Sequence, residues 1–276
     1  MKLALCNEVL RHLPFQAQCR TAAALGYTGL EIAPFTLADD PRSLTPADAA
    51  GWRAIAATHG LAISSLHWLL VRPEGLSLST PDAALQARTL DFLRHLIDLA
   101  AACGAQVLVH GSPAQRSPQP GQSVADALAR AEACWAALAP HAQAAGVRYC
   151  IEPLSRAETP VLNTLAEAAA VVDRIGSPAL RTMLDLSAAA QTEDEAPAAL
   201  LQRYLASGHI AHVQLNDRNR RGPGQGDTPV APVLRVLRDA GYAGWIAVEP
   251  FDYHPDALAC AAYSAGHVRG IWEALP

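Results

Sequence analysis

Six side chains able to bind a cation or move a proton sit at the ends of short apolar runs along this chain. His67, His110, Glu152, Asp185 and Glu249 each stand last in such a run, and Gln214 stands near the end of another. Carboxylates that converge without a counter-charge repel one another and drive one another's pKa upward. A divalent cation is the simplest partner that holds them together. A donor set of oxygens without thiolate points to Mn2+ first, with Mg2+, Co2+ and Zn2+ as alternatives. Any one of these carboxylates taken alone is equally well explained as a helix cap or a solvent contact. Their recurrence in successive units is what singles out chemistry.

Convergence depends on the elements that carry them. The chain repeats one unit: an alanine- and leucine-rich helical stretch, a glycine, then a short apolar run. Gly26, Gly60, Gly104, Gly146, Gly176, Gly208 and Gly241 stand where a left-handed C-cap would stop each helix. The following runs read as strands at Gly29–Ile32, Leu61–His67, Gln106–His110, Arg148–Glu152, Leu180–Asp185, Ile210–Leu215 and Trp245–Glu249, with Lys2–Asn7 as the first of eight. Thr80-Pro81-Asp82 reads as a capped start with proline at the first helical position, and Leu85, Phe92, Leu96, Leu99 and Cys103 then share one apolar face. Thr45-Pro46-Ala47-Asp48 reads as a capping box, with Asp in place of Glu or Gln, before a helix to His59. Eight such units predict an α/β fold, a single (β/α)8 TIM barrel in which residues 1–276 form one domain. An open doubly wound sheet would want a glycine-rich phosphate turn after the first strand, and Cys6-Asn7-Glu8-Val9-Leu10 is not one. In a closed barrel the C-terminal strand ends share one mouth, so the carboxylates would meet there. The Pro- and Gln-rich piece Ser112–Gln122 reads as a loop above the rim.

Composition narrows the partners. A chain of 276 residues, 51% hydrophobic and 17% charged, can bury a large core. Net charge −5 gives no general attraction for nucleic acid or anionic lipid. No stretch of about 18 uncharged apolar residues offers a membrane span, and Asn7, Glu8, Arg11 and His12 cut the apolar start short of a signal segment. Six scattered cysteines without a C-x-x-C pair read as reduced, mostly buried thiols, which leads us to expect a cytoplasmic protein. Lys2 is the only lysine, which removes Schiff-base aldolases and pyridoxal enzymes. A homo-oligomer is compatible with this composition.

Three segments carry a family resemblance. Glu152-Pro-Leu-Ser-Arg-Ala-Glu158-Thr-Pro-Val-Leu-Asn163-Thr resembles the fifth-strand segment of ketose 3-epimerases, within the xylose-isomerase-like TIM barrel superfamily. Ile210-Ala-His212-Val-Gln214-Leu-Asn-Asp217-Arg-Asn-Arg220-Arg-Gly-Pro-Gly-Gln-Gly226-Asp resembles that family's seventh strand and substrate loop, and Ala247-Val-Glu249-Pro-Phe251 its eighth. The resemblance implies a metal site at Glu152, Asp185, Gln214 and Glu249, with Glu158 and Arg220 on the substrate. Two positions depart from the epimerase pattern. Gln214 stands where those enzymes have histidine, as it does in the similar hydroxypyruvate isomerases. Ala188 stands where the family has a substrate-contacting histidine.

The expected activity is a metal-dependent isomerase or epimerase of a small ketose or hydroxy-carbonyl compound. A metal on the carbonyl oxygen and its neighbouring hydroxyl would stabilise the enediolate formed when a proton leaves carbon. Glu152 and Glu249, as the resemblance implies, would take and return that proton. His67 and His110 are candidate donors to substrate hydroxyls or buried structural histidines, and Trp68 is a candidate stacking face or rim packing. Arg218, Arg220 and Arg221 with Gly222, Gly224 and Gly226 form either a phosphate loop or a flexible turn, and Glu8 is a further pocket candidate. The rival activity is a lyase or dehydratase that expels a neighbouring group from the same intermediate. An AP endonuclease is disfavoured by Ala188, Gln214 and the negative net charge. Loss of a donor at Ala188 predicts a substituted, oxidised or shorter keto compound over free ketohexoses.

Overall fold

Helices separate each strand from the next in the computed structural model, which describes all 276 residues. The order is β1 (Lys2–Cys6), α1 (Phe15–Ala24), β2 (Gly29–Ile32), α2 (Pro46–Thr58), β3 (Ala62–Leu66), α3 (Ala83–Cys103), β4 (Val107–His110), α4 (Pro113–Arg116) and α5 (Val124–Ala145). There follow β5 (Arg148–Ile151), α6 (Leu165–Ile175), β6 (Leu180–Asp185), α7 (Leu186–Thr192), α8 (Pro197–Ala206), β7 (Ile210–Leu215), α9 (Val230–Asp239), β8 (Trp245–Val248) and α10 (Ala257–Ala274). The eight strands form a closed barrel in sequence order, and β1 pairs in parallel with β8 from Lys2↔Trp245 to Leu5↔Val248. This is the (β/α)8 barrel expected from the repeat. Bounds of β2, β6 and β7 coincide with the sequence reading, β3 is one residue shorter at each end, and the other strands differ by one residue at one end. The shift matters at His67, Glu152 and Glu249, which fall one residue past the ladder and so lie at the mouth.

All seven glycines expected after helices adopt positive φ, between 61° and 88°. At Gly104 the requirement is explicit. Its N–H closes back on the carbonyls of Ala100 and Ala101 at φ 78°, where a side chain would be strained and would press 3.3 Å from Arg53. The capping box of α2 is present, with Thr45 and Asp48 bonded reciprocally. The start of α3 is corrected by two residues. Asp82, not Thr80, is the cap, accepting from the N–H groups of Ala84 and Leu85, while Thr80 accepts from the Asp82 N–H. A carboxylate is the stronger cap and also meets the positive end of the helix dipole, an advantage of about 0.3–1 kcal/mol. Ser112–Gln122 is also corrected: it contains the helical turn α4, whose Arg116 is fully buried.

Side chains on the outer faces of the strands pack beneath the helices, where Trp135, Tyr149, Leu96 and Leu138 are buried in one continuous core. The lumen holds two smaller apolar groups: Val107, Val109, Cys150, Met183 and Ala211 on one side, and Ala4, Cys6, Trp245 and Ala247 on the other. All six cysteines are free and buried. No helix is long and apolar enough to cross a membrane.

Candidate metal centre and substrate pocket

Strand periodicity decides which strand ends face the lumen. Side chains two residues apart share a face, so the luminal Cys150, Met183 and Ala247 bring Glu152, Asp185 and Glu249 inward one step above them. Oxygens of these three carboxylates lie within 4.8 Å of one another, and all three residues are buried. Gln214 is paired in register with Asp185 and is fully buried. Gly111 makes room for the cluster: a Cβ there would stand 2.3 Å from Glu152 Oε2.

The electrostatics are those of concentrated, desolvated negative charge. Burial, reinforced by the charges of Glu249 and Asp185, raises the Glu152 carboxyl well above the ordinary glutamate range. Burial also pushes Glu249 up to about 8, although a hydrogen bond to His67 opposes the rise. Asp185 is raised to about 6 by burial, against hydrogen bonds from the Ala188 N–H and the Asn216 amide. Two buried oxygens, Glu249 Oε2 and Gln214 Oε1, have no hydrogen-bond partner. Buried polar atoms rarely stay unpaired. Three mutually close carboxylates, one of them with an orphaned oxygen, and the orphaned Gln214 oxygen make a donor set that fits a divalent cation with oxygen preference.

Below this cluster lies Glu31, a residue the sequence reading passed over. It is fully buried in β2 and faces the lumen. Gln214 Nε2 donates to its Oε1 at 2.6 Å, the Cys6 thiol donates to the same oxygen at 3.4 Å, and His67 Nδ1 stands 3.4 Å away. Its Oε2 accepts from the Ser65 hydroxyl and lies 2.6 Å from His212 Nε2. Burial alone would raise the Glu31 carboxyl, but the charges of His212 and His67, with hydrogen bonds from His212 and Ser65, hold it well below the ordinary range. One signal was available: a glutamate inside the apolar run Gly29-Leu30-Glu31-Ile32 must find partners when both faces of the strand are buried.

His67 bridges two carboxylates, with Nδ1 2.9 Å from Glu249 Oε1 and Nε2 2.9 Å from Glu8 Oε2. Burial opposes its charge, yet Glu8, Glu31 and the hydrogen bonds raise its pKa well above the ordinary value. Asn216, also unforeseen, ties two strand ends together: its amide nitrogen donates to Asp185 Oδ2 at 2.7 Å and to the Glu249 carbonyl at 3.2 Å. Buried Arg116 donates to the Glu152 carbonyl at 2.7 Å.

At the rim, Trp68 meets Phe251 edge-on at 6.1 Å between ring centroids. The Arg220 guanidinium lies 4.3 Å over the Phe251 ring and 3.2 Å from Glu158 Oε1. The Arg220 carbonyl accepts from the N–H groups of Phe251 and Asp252, which clasps the loops after β7 and β8. Trp68, Ser112 and Arg220 all carry positive φ, of 53°, 47° and 68°. Such strain costs about 1–3 kcal/mol per residue and concentrates where function needs a side chain aimed.

The structure thus brings together Glu152, Asp185, Gln214, Glu249, His67, Trp68, Glu158 and Arg220 around one mouth. It does not bring His110 there. Val107 and Val109 take the luminal positions of β4, so His110 faces outward, bonded to the Tyr149 hydroxyl and packed edge-on against Trp135 at 6.1 Å. Burial lowers its pKa to about 3. In the loop after β7 two of the three arginines are paired and Arg218 is exposed. Arg220 is engaged by Glu158 and Phe251, and Arg221 Nε donates to Asp252 at 2.8 Å. Glu8 lies inside the pocket's network as the second carboxylate on His67.

A family model described as xylose isomerase-like TIM barrel matches residues 19–269. The chain is 27% identical over 205 residues to a probable ketose 3-epimerase of Synechocystis sp., covering 69% of this chain and 66% of that protein. It is 37% identical over 106 residues to a D-psicose 3-epimerase of Agrobacterium fabrum, covering 38% of this chain and 36% of that one. The matched part is therefore about two thirds of the first relative's length and about a third of the second's. In three dimensions the chain superposes on a D-psicose 3-epimerase crystallised in the presence of D-fructose with a TM-score of 0.82 at 22% identity, covering 99% of both chains.

Proposed function

The chain belongs to the xylose isomerase-like TIM barrel family, and on that premise we propose that it is a divalent-metal-dependent isomerase or epimerase of a small ketose or related hydroxy-carbonyl compound. The observation that carries this reading is the convergence of Glu152, Asp185 and Glu249 beside the unpartnered amide oxygen of Gln214. Those four residues would hold the cation, Mn2+ first among the candidates. When bound, it would polarise a substrate carbonyl and the neighbouring hydroxyl, making the intervening C–H acidic enough to ionise.

Glu152 and Glu249 are the acid–base pair in this reading. They come from strands separated in the ring by β6 and β7. Removal of the carbon-bound proton by one and its return by the other inverts the carbon, whereas traffic on one side alone isomerises. His67 hydrogen-bonds Glu249 through Oε1 and so fixes the orientation of its carboxylate. Glu158 and Arg220 are placed to bind substrate oxygens, and Trp68 with Phe251 offers an apolar wall to the carbon skeleton. Ala188 gives its N–H to Asp185 and offers no side-chain donor, which favours a substituted, oxidised or shorter keto compound over free ketohexoses. A cytoplasmic setting, one domain over residues 1–276 and no nucleic-acid or membrane partner complete the reading.

The test is incubation of the Mn2+-loaded protein with a panel of ketoses and oxidised keto-sugars in D2O, followed by NMR. Deuterium entering carbon together with a new epimer or isomer is the expected result. Net loss of water or of an aglycone would instead assign an elimination, and no exchange on any member of the panel would overturn the reading.

A further inference from the structure

The Gln214 amide presents two chemically opposite ends of nearly the same shape. Its oxygen can bind a cation and its NH2 group cannot, and a half-turn about the last side-chain torsion exchanges them. Something must therefore select the end that faces the carboxylates. We infer that Glu31 is the positioning residue that turns the Gln214 amide oxygen toward the cation, an inference that rests on the metal-dependent reading above.

The geometry leaves one arrangement. A carboxylate only accepts hydrogen bonds, and Gln214 Nε2 stands 2.6 Å from Glu31 Oε1. The reversed amide would set oxygen against carboxylate oxygen at that distance, with both atoms out of reach of water, because Glu31 and Gln214 are each fully buried. With the nitrogen spent on Glu31, Gln214 Oε1 is left buried and without a partner. Glu31 cannot turn away, because the Ser65 hydroxyl and His212 Nε2 hold its other oxygen and the Cys6 thiol shares Oε1. Without Glu31, the amide would be drawn to point its NH2 toward Asp185 and Glu249 and would meet an arriving cation with two hydrogens.

Mn2+ affinity measured by titration calorimetry in two backgrounds tests this. In the unaltered chain, Glu31→Leu, which removes the acceptor altogether, should weaken Mn2+ binding by about ten- to a hundredfold, the usual effect of removing a partner that orients a ligand. In the Gln214→Glu background both ligand oxygens are alike, so there is nothing to orient and a like charge is relieved. There the same change should leave affinity unchanged or improve it. Equal weakening in both backgrounds would mean that Glu31 acts through its charge and would overturn the proposal, as would no weakening in the unaltered background. Should Glu31→Leu fail to fold by circular dichroism, Glu31→Asp keeps the charge but draws the acceptor back. Weakened Mn2+ binding by that folded variant supports the proposal, and unchanged binding overturns it. No Mn2+ uptake by the unaltered chain would overturn the metal reading and the inference with it, whereas uptake insensitive to Glu31 overturns the inference alone.

Discussion

Two levels of the same lumen differ by a single step along each strand. Cys150, Met183 and Ala247 form the apolar part of the lower level, beside the buried Glu31–His212 pair. Glu152, Asp185 and Glu249, two residues further on, form the upper level, which is acidic and holds orphaned oxygens. The lower level returns free energy to the fold through buried apolar surface. The upper level keeps desolvated carboxylates at a cost that hydrogen bonds from His67, Asn216 and the Ala188 N–H offset only in part. Stability and chemistry are therefore separable here by residue, which makes the contrast open to experiment.

The largest effect should come from the upper level. Glu152→Gln and Glu249→Gln should each cut proton exchange at substrate carbon by at least about 10²–10⁴, the usual contribution of a general acid or base, because an amide takes no proton. Deuterium incorporation measures this, and near-native exchange in either variant would remove that residue from the acid–base pair. Met183→Ala, one level down, should reverse the pattern. A fully buried side chain is lost there, so unfolding free energy should fall by about 2–5 kcal/mol while Mn2+ affinity in the folded protein stays within about twofold. Coupled loss of both would mean the levels are not separable.

A pH dependence follows with a definite sign. The carboxyls of Asp185 and Glu249 are raised to about 6 and about 8 in the fold, above their unfolded values of about 3.9 and 4.3. The folded state therefore binds protons more tightly, so the stability that these groups contribute is full at low pH and is lost as pH rises toward 8. The melting temperature of the cation-free chain should fall between pH 5.5 and 8.5, and saturating Mn2+ should restore more of it at pH 8.5 than at 5.5. A cation-free melting temperature that rises across this interval would contradict the placement of these carboxyls. The smallest effects belong to the periphery. Arg220→Ala should raise KM by up to about tenfold with little change in kcat, as expected of uniform binding, whereas His110→Phe should leave both within about twofold because the ring faces away from the mouth.

The sequence carried much of this arrangement, and the omissions have a common cause. Strand bounds were legible because each glycine stop and apolar run is local, and the carboxylates were legible because each ends its run. His110 was misplaced because Val107-Leu108-Val109-His110 is apolar on both faces, as strands of a parallel barrel are, so no alternation shows which side is luminal. Glu31 sits within a strand, where its partners arrive from β1, β3 and β7 at long sequence separation. Asn216 and Arg116 act through backbone and side-chain bonds that no local pattern encodes. The start of α3 was displaced because Thr80 and Asp82 are both good caps, and their competition is settled only by the completed turn.

The seam between β1 and β8 has a consequence for how the molecule is made. β1 is synthesised before β8, and it gains its second neighbour only when β8 has emerged. Until then the nascent chain offers an unpaired edge of Lys2–Cys6, a template for misassembly with other chains. Glu249 lies just past β8, so it emerges after every other carboxylate of the cluster. On the metal reading proposed above, the full ligand set therefore exists only once β8 and the residue that follows it have been made.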